Sequence, residues 1–111
     1  MSHYVADLAS RIDISPISTV STTVLKEPGA RLVLFSFDAG EELSEHTAAM
    51  PVLLQTVTGR LSVTTADATA VLVPGDVLYL AAREPHSVAA EEPSRLLLVM
   101  LDPRGTSGPA S

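Results

Sequence analysis

Two histidines, His46 and His86, are the side chains in this sequence best suited to chemistry. His86 follows Pro85 directly at the start of an apolar segment, and His46 follows Gly40 and a short polar run. Imidazole is the one side chain that normally titrates near neutral pH, and it is a common ligand of zinc, iron, nickel and copper. We expect the fold to bring the two rings together, because both stand at comparable points before apolar runs.

The composition favours a single β-rich domain. The chain has 111 residues, of which 46% are hydrophobic and only 4% aromatic, so its core must be built from aliphatic side chains. The formal charge of −6 argues against nucleic acid and anionic membranes as partners. The absence of cysteine excludes disulfides and thiolate sites. The first residues do not resemble a signal peptide and no segment is long enough to span a membrane, so we expect a cytoplasmic protein.

Short β-branched and aliphatic runs separated by turn residues predict an all-β antiparallel sandwich or barrel. Segment 41–45 is polar and is predicted to be a loop, and Gly59-Arg60 is predicted to be a tight hairpin turn. About eight strands are predicted: Thr19–Leu25, Arg31–Asp38, Val52–Val57, Leu61–Thr65, Thr69–Val73, Val77–Leu80, one beginning at His86, and Arg95–Leu101.

The barrel is predicted to occupy residues 20–102, preceded by an arm at 1–19 and followed by a flexible tail at 103–111. Apolar residues spaced three and four apart in residues 4–12 predict a short helix, with Ser2 as a possible N-cap.

Two predicted strands are apolar on both faces, Val52–Val57 and Leu96–Leu101. In an antiparallel protein such strands need cover on each side. A homodimer that packs the outer faces of two sheets would supply it, and this is the arrangement we expect. The alternative is that the N-terminal helix covers that face alone.

The spacing of one group of residues resembles the first motif of the small single-domain cupins. That motif is a glycine, five residues, His-x-His, three or four residues, a glutamate, six residues and a glycine. Here Gly40, His46, Ala48, Val52 and Gly59 stand at those positions. The spacing matches throughout, but the second histidine is replaced by alanine and the glutamate by valine.

A second group resembles the second cupin motif. That motif is a glycine, five residues, Pro-x-Gly, two residues, a histidine, three residues and an asparagine. Gly75, Ala81, Arg83, His86 and Ala90 occupy its positions, so the first glycine and the histidine remain and the other three residues differ.

The resemblance covers roughly residues 33–101 and implies the double-stranded β-helix, or jelly-roll, fold. In typical cupins three histidines and a glutamate hold a divalent ion inside the barrel, whereas this chain keeps only His46 and His86 of that set. The resemblance therefore implies either a weakly held divalent metal (zinc, iron, nickel or manganese) or none. If the protein is an enzyme, the resemblance points to isomerase, lyase or dioxygenase chemistry on a small polar substrate.

If the pleat continues unbroken past Pro51, alternation along the strand predicts a shared interior face beside His46. The predicted pocket residues are Ala48, Val52, Leu54, Thr56 and, as an extra polar group, Tyr79. Three functions remain open for the two histidines. They could hold a metal and act as catalytic groups, bind a small organic ligand or move a proton without metal, or be remnants in a non-catalytic sensing or structural homodimer.

Overall fold

A computed structural model of the chain describes residues 2–102. Within them nine β-strands form two antiparallel sheets, which confirms the all-β jelly-roll prediction. The strands are β1 Thr19–Glu27, β2 Ala30–Phe37, β3 Glu42–His46, β4 Val52–Thr58, β5 Leu61–Thr65, β6 Thr69–Leu72, β7 Val77–Leu80, β8 His86–Ala90 and β9 Ser94–Leu101. The predicted tail at 103–111 lies outside the described residues.

The two sheets are built from strands that are mostly distant in sequence. One sheet has the order β1-β2-β9-β4-β7 and the other β3-β8-β5-β6. Among the nine strands of residues 2–102, only β1–β2 and β5–β6 are hairpins of consecutive strands. The first is closed by a turn at Pro28-Gly29, where Gly29 has φ 91°. The chain crosses between the sheets at the other corners, including Pro74-Gly75, where Asp76 accepts a hydrogen bond from the Val73 amide.

Two sequence predictions were wrong at these crossings. Segment 42–46 is a strand and not a loop, since β3 pairs with β8. Its polar composition misled the prediction because β3 is an edge strand on which only Leu43 is not exposed. Gly59-Arg60 is not a hairpin turn, because β4 and β5 belong to different sheets.

The main core lies between the two sheets. Its members are the inward-facing aliphatic side chains of both sheets together with one phenylalanine. They are Phe37, Val52, Leu54, Leu61, Val63, Leu72, Leu80, Val88, Ala90 and Leu96.

A smaller apolar cluster covers the outer face of the five-stranded sheet. Ile12 of the N-terminal arm packs there with Leu34 of β2 and Leu97 of β9. The Arg95 guanidinium donates from Nε to the Ile12 carbonyl at 2.8 Å and holds the arm in place. The arm thus supplies part of the second cover that the doubly apolar strands require.

The helix predicted for residues 4–12 is reduced to a single 3-10 turn, Leu8–Arg11. Asp7, and not Ser2, precedes this turn, and its backbone is left-handed with φ 54°. A residue in that conformation ends any right-handed helix before it. The prediction was therefore wrong in length and in its cap, although Leu8 and Ile12 do face the sheet.

Within residues 2–102 no helix is long and apolar enough to cross a membrane.

Candidate functional site

The fold places the two histidine rings in direct contact. His46 ends β3, His86 begins β8, and the two are partners in the register of these antiparallel strands. Their ring centroids are 4.3 Å apart, with the ring planes inclined at 61°. The expected proximity of the two imidazoles is therefore observed, and it is produced by strand pairing.

Each imidazole is held by a backbone carbonyl two residues earlier in the chain. His46 Nδ1 lies 2.8 Å from the Ser44 carbonyl oxygen, and His86 Nδ1 lies 2.9 Å from that of Glu84. A carbonyl oxygen only accepts hydrogen bonds, so Nδ1 must carry the hydrogen in both rings. In the neutral rings Nε2 is then the nitrogen with the lone pair, which is the atom that can bind a metal ion or accept a hydrogen bond.

The two rings differ in their access to solvent. His86 is buried, with 2% of its surface exposed, whereas His46 is an exposed residue. His46 therefore stands at the entrance of the site and His86 at its inner wall.

Both rings line one cavity of about 250 Å³. Apart from the histidines its walls are almost entirely apolar, with Thr47 the one other polar side chain. The complete lining is Val33, Phe35, His46, Thr47, Ala48, Ala49, Val52, His86, Leu98 and Met100.

Only part of the predicted pocket set lines this cavity. Ala48 and Val52 do. Leu54 and Thr56 are buried in the barrel but further from the cavity, and the Thr56 hydroxyl donates to the Leu72 carbonyl at 3.0 Å. Tyr79 is 57% exposed and does not line the cavity.

The condition behind the predicted set was an unbroken pleat from His46 through Pro51, and this is not found. Strand β3 ends at His46, and the chain crosses to the other sheet before β4 begins at Val52. The alternation predicted within β4 is correct, because Val52, Leu54 and Thr56 are all buried. Tyr79 faces away because it pairs with Leu53, whose side chain points to the opposite side of the sheet from Val52.

Sequence reasoning missed the far wall of the cavity, which consists of Val33 and Phe35 from β2 with Leu98 and Met100 from β9. The alternation of β2 is visible in the sequence and would have placed Val33 and Phe35 on one face. What the sequence does not reveal is that β9 lies between β2 and β4.

Two loops meet at the mouth of the cavity. The Arg83 amide donates a 2.7 Å hydrogen bond to the Ala48 carbonyl, which joins the loop before His86 to the loop after His46. Arg83 has φ 63°, in the left-handed region that favours glycine. The cupin motif has a glycine at this position, so the conformation that the motif requires persists although the residue has changed.

The donor atoms around the histidines do not complete a metal site. Among residues 2–102 there is no group of three or more His, Cys, Asp and Glu side chains placed to hold one ion. Glu84, the acidic residue nearest to His86 in the chain, uses Oε1 to accept the Ala81 amide at 3.1 Å. Tightly held catalytic ions usually have at least three protein ligands, so the residues present do not fit such an ion.

A larger but open depression of about 640 Å³ lies between the N-terminal arm and β1. Its main polar side chains are already engaged locally, since Ser10 Oγ donates to the Asp7 carbonyl and Arg11 Nε to the Ala6 carbonyl. The smaller histidine cavity is the better candidate site because it is more enclosed and its polar groups converge.

Comparison with known proteins agrees with the fold. No protein-family model matched the sequence, and no curated protein proved similar to it. Among solved structures, a cupin superfamily protein from Desulfitobacterium hafniense is 30% identical, with a TM-score of 0.80 over 85% of this chain and 86% of its own. A conserved Streptococcus pyogenes protein of unknown function is 25% identical, with a TM-score of 0.80 over 93% of this chain and 91% of its own.

A cupin 2 conserved barrel domain protein from Leptotrichia buccalis is 26% identical, with a TM-score of 0.80. That likeness covers 86% of this chain but only 46% of the longer protein. The antiparallel β-sandwich and the 30% identity to the Desulfitobacterium protein show that this chain belongs to the cupin superfamily.

Proposed function

We propose that this chain is a small-molecule-binding cupin whose ligand occupies the cavity beside His46 and His86. The observation that carries the proposal is the contact of the two imidazoles, whose ring centroids are 4.3 Å apart. Both rings lie on the wall of one largely apolar cavity of about 250 Å³. An apolar cavity with a few convergent polar groups is the usual form of a small-ligand site.

The hydrogen bonds of the histidines favour a ligand that donates to them. With Nδ1 bound to a carbonyl in each ring, neutral His46 and His86 offer two acceptor nitrogens. A hydroxyl group of a small polar molecule would donate to one of them, and such an imidazole could also take a proton from it. Val52 and Leu98 would contact the carbon chain of the same molecule.

A weakly held divalent ion is a second candidate, favoured by the same free Nε2 atoms. Two imidazoles could hold zinc, iron, nickel or manganese only if water or ligand oxygens complete the coordination. Because the protein donors do not fit a tight site, we assign no reaction step to such an ion. A sensing or structural module without metal is the remaining alternative.

The experiment measures metal content and ligand-induced thermal stabilisation for the wild type and for the His46→Ala and His86→Ala variants. His3→Ala is the matched control, since His3 Nε2 contacts Glu27 Oε1 at 3.4 Å and His3 does not line the cavity. Small hydroxylated compounds are added singly, with and without a chelator. A ligand that binds only the folded state raises the melting temperature.

We expect at least one compound to stabilise the wild type and the His3→Ala variant but neither cavity variant. Stabilisation that survives the chelator supports the metal-free site, and loss with the chelator supports the weak metal. If every compound acts equally on all four proteins, or on none, the cavity has no ligand role and the structural alternative holds.

We also propose that the protein is a homodimer that uses the uncovered part of the outer sheet face. The arm does not cover β7, where Val77 and Tyr79 are 54% and 57% exposed at a free sheet edge. Exposed apolar groups on an edge strand favour association. Light scattering should report twice the 11.6 kDa chain mass for the wild type and a monomer for Tyr79→Glu. A wild-type monomer at high concentration would contradict this proposal.

A further inference from the structure

A row of five side chains runs across the inner face of the five-stranded sheet at the level of the cavity. The register pairs Lys26 with Arg31, Arg31 with Met100, Met100 with Val52, and Val52 with Leu80. Residues directly opposite each other in antiparallel strands project to the same face, with neighbouring strands about 4.8 Å apart. Two cationic residues therefore begin a row whose next two members line the cavity.

Alternation along β2 gives the same placement for Arg31 independently. Val33 and Phe35 line the cavity, and Arg31 is the next residue on their face of the strand. Arg31 is thus beside the cavity both along its own strand and across to Met100.

Neither cation takes part in the ion pairs of residues 2–102. The ion pairs there join His3 to Glu27 and Arg60 to Glu91, so none involves Lys26 or Arg31. The Arg31 Nε atom is buried and has no hydrogen-bond partner within residues 2–102. Like charges directly opposite each other destabilise a sheet, and a buried donor left unpaired costs further free energy.

A protein with thirteen acidic and seven basic residues has many carboxylates that could have paired with these cations. Arg31 and Lys26 do not line the cavity themselves but follow Met100, which does, in the row across the sheet. An Arg–Lys pair beside an apolar cavity, with the arginine Nε buried and unpartnered within residues 2–102, favours an anionic ligand. The planar guanidinium donates two parallel hydrogen bonds to a carboxylate, which makes arginine the usual residue for recognising that group.

We propose that the cavity ligand is a short hydroxy acid, whose carboxylate binds Arg31 and Lys26 while its hydroxyl donates to His46 or His86. This inference rests on the proposed function of the cavity and adds the chemical class of the ligand. The apolar walls between the cationic and imidazole groups accommodate a short carbon chain, and about 250 Å³ limits the ligand to a small molecule.

The test compares 4-hydroxybutanoate, whose hydroxyl and carboxylate stand at opposite ends of a short carbon chain, with its uncharged amide, which has nearly the same shape. Both are titrated by calorimetry into the wild type, Arg31→Gln, Arg31→Lys and Lys26→Gln. Arg60→Gln is the matched control, because exposed Arg60 pairs with Glu91 at 3.5 Å and lies outside the row, so it removes the same net charge elsewhere. Circular dichroism checks that every variant is folded.

We expect the acid to bind the wild type and Arg60→Gln at least about tenfold more tightly than the amide, because only the acid forms charge-assisted hydrogen bonds. This preference should fall below about twofold in Arg31→Gln and be partly retained in Arg31→Lys. Equal binding of acid and amide by the wild type, no binding of the acid, or a preference unchanged in Arg31→Gln would each overturn the inference.

Two further arms separate this inference from related ones. Inorganic phosphate that binds more tightly than the acid, and loses this in Arg31→Gln, would overturn the carboxylate assignment in favour of a phosphorylated ligand. Binding of other hydroxylated compounds that is lost in His46→Ala and His86→Ala but unchanged in Arg31→Gln would overturn the anionic ligand and leave the proposed function intact. Acid binding that needs Arg31 but neither histidine would contradict the role of the imidazoles.

Discussion

Replacement of Arg83 by glycine should stabilise the protein. The Arg83 backbone has φ 63°, and its amide donates to the Ala48 carbonyl at 2.7 Å, so the conformation is fixed by a tertiary contact. A left-handed backbone costs a residue with a Cβ roughly 1–2 kcal/mol. Glycine avoids this cost but loses about 0.5–1 kcal/mol more conformational entropy on folding. The net gain in the free energy of unfolding is therefore expected to be about 0.5–1 kcal/mol.

The Arg83→Ala variant isolates the backbone effect. It removes the guanidinium but keeps a Cβ, and the Arg83 side chain is exposed and forms no ion pair within residues 2–102. Its stability should therefore lie within about 0.5 kcal/mol of the wild type. Urea unfolding of the three proteins, followed by circular dichroism, gives the two differences directly.

The decisive comparison is glycine against alanine at position 83. If Arg83→Gly is no more stable than Arg83→Ala, the left-handed conformation carries no cost at this position. The link between the glycine of the cupin motif and the geometry of the loop before His86 would then be refuted.

Three other substitutions test the fold and the charged row. Gly59→Ala should lower the free energy of unfolding by more than about 2 kcal/mol, because the Gly59 backbone has φ +85° and an added Cβ would lie 2.7 Å from the Ser94 Cα. A stability close to that of the wild type in urea unfolding would contradict this. Hydrogen bonds from the backbone amide of Ile17 and, to a lesser extent, of Ala39 lower the pKa of the Asp38 carboxyl from its ordinary value of 3.8. The ionised carboxylate therefore contributes fully to the stability of the fold above pH 3.8, and this contribution is lost as the pH falls through the folded-state pKa. Asp38→Asn should accordingly be less stable than the wild type at pH 7, with the difference shrinking below pH 3.8; a difference independent of pH would show that the charge is not responsible. Lys26→Gln should raise the free energy of unfolding of the ligand-free protein by up to about 1 kcal/mol, because it removes the like-charge pair of Lys26 and Arg31. A clearly lower melting temperature of this variant would contradict repulsion between the two residues.

Much of the architecture follows from local patterns. Alternation and β-branched content predicted eight of the nine strands, with ends that differ by at most two residues. The turns at Pro28-Gly29 and Pro74-Gly75 were predictable because proline and glycine restrict the backbone in ways that neighbours do not change. Strand β3 was not predicted because an edge strand with exposed polar side chains lacks the alternation of apolar and polar residues that indicates a strand.

The candidate site was predictable in its two histidines and in Ala48 and Val52 of its lining. Their motif spacing identified His46 and His86, and the structure brings the rings together. The arginine beside the cavity was not predictable, because Arg31 becomes important only through its register with Met100.

Local sequence preferences account for the β-rich class, for the turns at Pro28-Gly29 and Pro74-Gly75, and for the alternation of the eight predicted strands, since these depend on residues close together in the chain. Strand pairing in three dimensions places β9 between β2 and β4, buries His86 while His46 stays exposed, and sets Lys26 opposite Arg31. These features depend on which strands pair, and pairing is selected by burial of the whole core and by crossings between the sheets. No local segment carries that information.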